Sequence, residues 1–225
     1  MDKKMNVLDV QIDDCTAKEA MKAVVDYMKT EALNSVEMVT ADTLMLASRM
    51  PDMKYNMSEL DLVLPGDRAV LEVAGVTEKR RFQETEEKTF LKMLLRYLHK
   101  NHRSLFLLTD TEEEAEKIAV FLESRYSGIR LTGHALVPKD DSADDWITNQ
   151  INGVESGVDC ILASLSSPVQ ETFVKRCLPV LNARLWFAPG RSFLPEEGKK
   201  ISGPIREFIE KRILKREVEK TKKEG

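Results

Sequence analysis

VTADTLMLASRMPDMKYNMSELDLVLPGDRA, residues Val39–Ala69, decides the fold. It closes one apolar run, Val36–Val39, and contains a second, Leu60–Leu64; both are short enough for strands and bounded by polar or breaker residues. Between them Thr43–Arg49 predicts a helix that stops before Pro51. Just past the first run stand Thr40 and Asp42; just past the second stands Asp67, after Pro65-Gly66. Ligands of open α/β sheets bind beyond the carboxyl ends of the strands, so the two oxygen-bearing clusters are placed to line one cleft. The same residues also suit a purely local role, Asp42 as a helix cap and Pro-Gly-Asp as a turn. Both readings stand at this point.

Working outward, helices and strands alternate. Thr16-Ala-Lys-Glu19 is a capping box before an amphipathic helix with Ala20, Met21, Val24, Val25 and Met28 inward. Arg68–Ala74 predicts a short helix ending at Gly75, and the charged run Thr77–Lys88 a loop. A helix over Glu86–Lys100 then leads to a strand at Ser104–Leu108. Thr111-Glu-Glu-Glu114 is a second capping box, opening a helix to about Tyr126, with a strand at Ile129–Thr132 beyond it. Ser142-Ala-Asp-Asp145 predicts a capped helix through Ile151. Val158–Ser164 and Ala183–Ala188 are buried strands, separated by a helix over Gln170–Leu178. The alternation implies an α/β fold: a Rossmann-like, mostly parallel sheet with helices on both faces. We divide the chain into an α/β domain over residues 1–195 and a basic helical appendage over 196–225.

The 225 residues include 42% hydrophobic and 32% charged side chains, the balance of a water-exposed globular protein. No apolar run approaches membrane-spanning length, and MDKKMNVLDVQIDD lacks a signal-peptide core, so a cytoplasmic location is expected. Cys15, Cys160 and Cys177 form no CxxC pair, and His99, His102 and His134 are scattered, so no metal and no cofactor is expected. The chain carries −4 overall, while Lys199–Gly225 holds ten Lys/Arg against five Glu; a net of +5 in the tail leaves −9 on the rest. An acidic body without basic–aromatic patches argues against nucleic acid as a partner. The common nucleotide and hydrolase fingerprints GxGxxG, GxxxxGK[ST] and GxSxG are absent.

Three features remain: the two strand-end clusters, the triplet Lys79-Arg80-Arg81, and the turn Ser166-Ser-Pro-Val-Gln-Glu171. The triplet can neutralise a diphosphate or simply lie solvated. Glu171 near a helix start is favourable on dipole grounds alone.

In their order these blocks resemble the WecG/TagA/CpsF family of bacterial glycosyltransferases. Thr40-Ala-Asp42 stands where members carry T-x-N, and Leu60–Val70 (LDLVLPGDRAV) is similar to their "aDlvlpDGigvv" block. Arg81-Phe-Gln-Glu-Thr-Glu86 matches an Arg-x-x-Gly-x-Asp segment, Arg125–Gly133 a "ypgl.ivG" ending, and Pro168-Val-Gln-Glu171 a Pro-Lys-Gln-Glu turn. The resemblance spans roughly Met38–Pro189. It implies transfer of a sugar such as N-acetylmannosamine from a UDP-sugar to a polyprenyl-diphosphate-linked acceptor, without metal, in surface polysaccharide or teichoic acid synthesis. It implies Asp67 as the general base, with Asp42 the second candidate. Thr40, Gln170 and Glu171 would contact substrate, and Arg80 or Arg81 would face the diphosphate. It also implies that Arg206, Arg212 and Arg216 of the appendage face an anionic membrane surface, with the protein peripheral to the inner face of the plasma membrane. A homo-oligomer is compatible with the tail, whose apolar stripe could pack on a neighbour. The rival reading is a catalytically degenerate paralogue, a sugar-nucleotide-binding or regulatory partner. Asp42 in place of the T-x-N asparagine, Val169 in place of the motif lysine, and Glu84 and Thr109-Asp110 in place of glycines favour it.

Overall fold

The computed structural model describes residues 3–190. The chain opens with a hairpin, β1 (Lys4–Val7) and β2 (Val10–Asp13), whose two turn residues, Leu8 and Asp9, both take the left-handed conformation that such tight turns require. The sequence reading had no strands here. Helix α1 (Ala17–Tyr27) follows with the expected capping box, Thr16 and Glu19 bonding each other's backbone N–H.

The remaining elements are β3 (Asn34–Val39), α2 (Ala41–Ala47), α3 (Pro51–Ser58), β4 (Leu62–Pro65), α4 (Arg68–Val73), α5 (Lys79–Glu86), α6 (Thr89–Lys100), β5 (Ser104–Thr109), α7 (Glu112–Arg125), β6 (Arg130–Leu136), α8 (Asp144–Asn152), β7 (Val158–Ser164), α9 (Val169–Cys177) and β8 (Ala183–Ala188). Six strands form one parallel sheet in the order β4-β3-β8-β7-β5-β6. This is the α/β, Rossmann-like architecture expected. One face packs under α1, α6 and α7, with Val24, Leu94 and Ile118 inward; the other packs under α2, α3, α4, α8 and α9. On that second face Phe173 of α9 stacks on Trp186 of β8, ring centroids 5.8 Å apart.

Several local expectations change. The charged run after Gly75 is helix α5, not loop. Its Arg81 is drawn inward by an ion pair with Asp14, which gives an otherwise polar helix a buried anchor. Helix α6 starts at Thr89, because Lys88 adopts a left-handed conformation that ends the preceding turn. Pro51 does not merely stop α2 but opens α3, a favoured first-turn position for proline. The Thr111 hydroxyl caps α7, but Glu114 turns away to accept from Ser164 at 2.6 Å, so no reciprocal box forms. Ser142 bonds Asp140 and leaves α8 without a side-chain cap. The appendage over residues 196–225, with Arg206, Arg212 and Arg216, lies outside the described residues.

Candidate active site at the carboxyl edge of the sheet

All six parallel strands end on one edge, and the two clusters of the opening stretch meet there. Thr40, not Asp42, is the N-cap of α2, its hydroxyl accepting from the Thr43 N–H at 3.3 Å. Asp42 is exposed in the first turn of that helix. Asp67 is the N-cap of α4: Oδ1 accepts from the Val70 N–H at 3.0 Å. Its Oδ2 accepts from the Ala41 N–H at 2.8 Å. One half-buried carboxylate therefore joins the amino ends of two helices, where both dipoles favour negative charge. Gly66 makes this possible. Its N–H donates to the Val39 carbonyl at 2.7 Å, and a Cβ there would stand only 2.9 Å from the same oxygen. Beside Thr40 the chain leaves β8 through Gly190, which has positive φ.

The turn after β7 is built differently. The Ser166 N–H donates to Asp110 at 2.8 Å, the Ser167–Pro168 peptide is cis, and the Ser167 hydroxyl donates to Glu171 at 2.6 Å. Gln170 and Glu171 in the first turn of α9 are fully buried, as is Glu37 of β3. Both oxygens of Glu37, Oε1 of Gln170, Oε2 of Glu171 and the indole N–H of Trp186 lack a hydrogen-bond partner among the described residues. Burial pushes the Glu37 carboxyl well above its ordinary 4.5, and the neighbouring Glu171 acts the same way, while Gln170 opposes it. Glu171 is also raised by burial, against the Ser167 hydroxyl, the α9 backbone and Glu37.

A shallow cleft opens on the other face at the ends of β3 and β4. Met38, Leu64 and Pro65 form its floor, and Thr16, Arg81, Lys88 and Phe90 are among its walls. Arg81 donates through Nη1 to Asp14, and its buried Nη2 has no partner among the described residues. Asp14 also pairs with Lys3 at 2.6 Å, and these two cations hold its carboxyl below the ordinary 3.8 against the effect of burial. Arg80 is exposed and paired with Glu84. Among the described residues no three His, Cys, Asp or Glu side chains gather as a metal site, and no helix is long and apolar enough to cross a membrane.

The family model of the glycosyl transferase WecG/TagA/CpsF family matches residues 5–204. The chain belongs to that family. No curated protein matches it. In this WecG/TagA/CpsF chain Thr40 and Asp67 stand together at the ends of β3 and β4, linked through the first turn of α2. Gln170 and Glu171 reach toward the same strand from α9, since both act on Glu37, three residues before Thr40. Arg80 and Arg81 do not join them: Arg81 lines the cleft on the opposite face and Arg80 points to solvent. Sequence reasoning missed Glu37 and Asp14. The signal for Glu37 was a lone carboxyl in VEMV, an otherwise apolar strand.

Proposed function

We propose that this chain transfers a sugar of the N-acetylmannosamine type from a UDP-sugar to a polyprenyl-diphosphate-linked acceptor in bacterial surface-polymer assembly, working at the inner face of the plasma membrane. The observation that carries this reading is Asp67, a carboxylate fixed between two helix starts at the carboxyl edge of a parallel sheet. Asp67 takes the proton of the acceptor hydroxyl as that oxygen bonds the anomeric carbon; the bond from that carbon to the diphosphate breaks, and UDP leaves with its electron pair. Thr40 and Gln170 orient the sugars. A diphosphate that runs across the strand ends, from Asp67 on one face to the cleft beside Pro65 on the other, is neutralised there by Arg81, whose Nη2 is unpaired among the described residues; no metal is needed for that charge. Asp42 is the reserve base. The basic tail brings the chain to anionic lipid.

One observation favours the rival reading, a non-catalytic paralogue that binds sugar nucleotide. Both Asp67 oxygens already accept a backbone N–H, which leaves fewer lone pairs to take up an acceptor hydroxyl. The test is acceptor-dependent UDP release. Purified chain receives UDP-N-acetylmannosamine, or one of several other UDP-sugars, with a short-chain polyprenyl-diphosphate N-acetylglucosamine. Release that needs the acceptor supports transfer. No release from any donor, with UDP still raising the melting temperature, supports the binding paralogue; neither response removes both.

A further inference from the structure

Glu37 has no part in the transfer chemistry above, yet it lies buried on β3, a strand paired on both sides in the six-stranded sheet, where a carboxyl group is costly. On β3 it projects to the same face as Val39; β4 sets Val63 in register with it, β8 sets Ala188 there, and Trp186 lies on that face too. From α9 come Gln170 and Glu171, with Ser167 behind Glu171. These are the polar groups acting on the pair, and among the described residues no Lys, Arg or His is one of them.

Two carboxylates offer only acceptors. Both Glu37 oxygens, Glu171 Oε2 and Gln170 Oε1 accordingly have no donor. A single proton between the acids converts that acceptor–acceptor contact into a hydrogen bond. We propose that Glu37 and Glu171 hold one proton between them, and that this pair positions Gln170, seating its amide at the sugar site only while the proton is held. The role of Gln170 rests on the transfer reading; the shared proton does not. Glu37 keeps the proton, because Glu171 has the Ser167 hydroxyl and the amino end of α9 to stabilise its charge. Burial without any cation acts in the same sense.

The sign of the pH effect follows. An unfolded glutamic acid loses its proton near 4.5, whereas the folded pair keeps one, so stability falls as pH rises toward the folded value. Asp14, Glu19, Asp26, Glu113 and Asp140 are shifted downward from 3.8 or 4.5 and change stability only on the acid side. The buried thiols Cys15, Cys160 and Cys177, raised from 9.0, act only on the alkaline side. Between pH 5 and 8 the difference between wild type and Glu37→Gln isolates the pair, cancelling every other titrating group, His99, His102 and His134 included.

The experiment combines infrared spectroscopy of glutamate-labelled full-length chain with melting curves over that range. Wild type should show a protonated-carboxyl band at pH 7 that Glu37→Gln lacks. Its melting temperature should fall relative to the variant by about 3–5 °C per pH unit. No such band, with parallel melting curves, overturns the proposal; should Glu37→Gln not fold, Glu171→Gln and the wild-type band carry the same decision. UDP-sugar transfer or UDP binding should decline with rising pH in wild type and stay flat in Glu37→Gln. Identical profiles, with the band and slope present, overturn the positioning of Gln170 and leave the shared proton. A chain that neither binds UDP nor transfers sugar, yet shows the band, refutes the transfer reading alone.

Discussion

The two polar clusters on the carboxyl edge are wired in opposite ways. At the ends of β3 and β4 the oxygens of Thr40 and Asp67 accept backbone N–H groups at the starts of α2 and α4, and Gly66 closes the turn on Val39. At β3 and α9, Glu37, Gln170 and Glu171 are buried with oxygens that have no donor among the described residues, and Trp186 adds an unsatisfied N–H. The first cluster holds the fold together. The second weakens it, since each buried unsatisfied group costs about 1–3 kcal/mol. Polar groups kept at such a cost point to a role other than folding.

Substitutions can break or sharpen that contrast. The largest loss should come from Asp67→Ala, which removes a cap and leaves the Ala41 and Val70 N–H groups without partners. Chemical denaturation should register a destabilisation of about 2–3 kcal/mol. Gly66→Ala should cost about 2 kcal/mol, because the new Cβ meets backbone 2.9 Å away that cannot yield, and the Asp67 cap shifts with the turn. At the second cluster the sign reverses. Gln170→Met, which replaces the unsatisfied amide oxygen with an apolar chain of similar length, should stabilise by about 1 kcal/mol while reducing sugar transfer. A destabilised Gln170→Met would erase the distinction between the clusters. Thr40→Val should lose about 1 kcal/mol, the worth of one helix cap. The smallest effect belongs to Arg80→Ala, within about 0.5 kcal/mol, since its exposed pair with Glu84 is solvent-screened. UDP affinity should be unchanged there, whereas a marked drop would return Arg80 to the diphosphate.

The same contrast sorts what was legible in the sequence. Strands β7 and β8 begin and end where apolar runs meet breakers, and the Thr16–Glu19 box announces α1 by spacing alone. The β3–β4 cluster was visible in part: the strand-end placing of Thr40 and Asp67 is written in neighbouring residues, but the cap falls on Thr40 rather than Asp42, and the bond from Ala41 to Asp67 spans 26 positions. What escaped depends on distant partners. Helix α5 is polar nearly throughout and is held by Arg81 reaching Asp14, 67 positions away. The hairpin β1–β2 turns on Leu8 and Asp9, and Leu8 in the left-handed region carries no turn signature. Glu37 stood in plain view, but its neighbours come from α9, so only the fold discloses that two acids face each other. Family membership was readable from the ordered blocks and is shown by the match over residues 5–204.

The role of Asp67 is decided by kcat/KM for acceptor-dependent UDP release, compared between wild type and Asp67→Asn. Asparagine keeps one of the two acceptor oxygens, so the α4 cap survives while its amide NH2 faces the Ala41 N–H and the base is lost. We predict a fall of about 10²–10⁴-fold in kcat/KM with a folded chain whose melting temperature drops by only about 2–6 °C. Equal activity in the two chains would contradict the account and remove Asp67 from the chemistry.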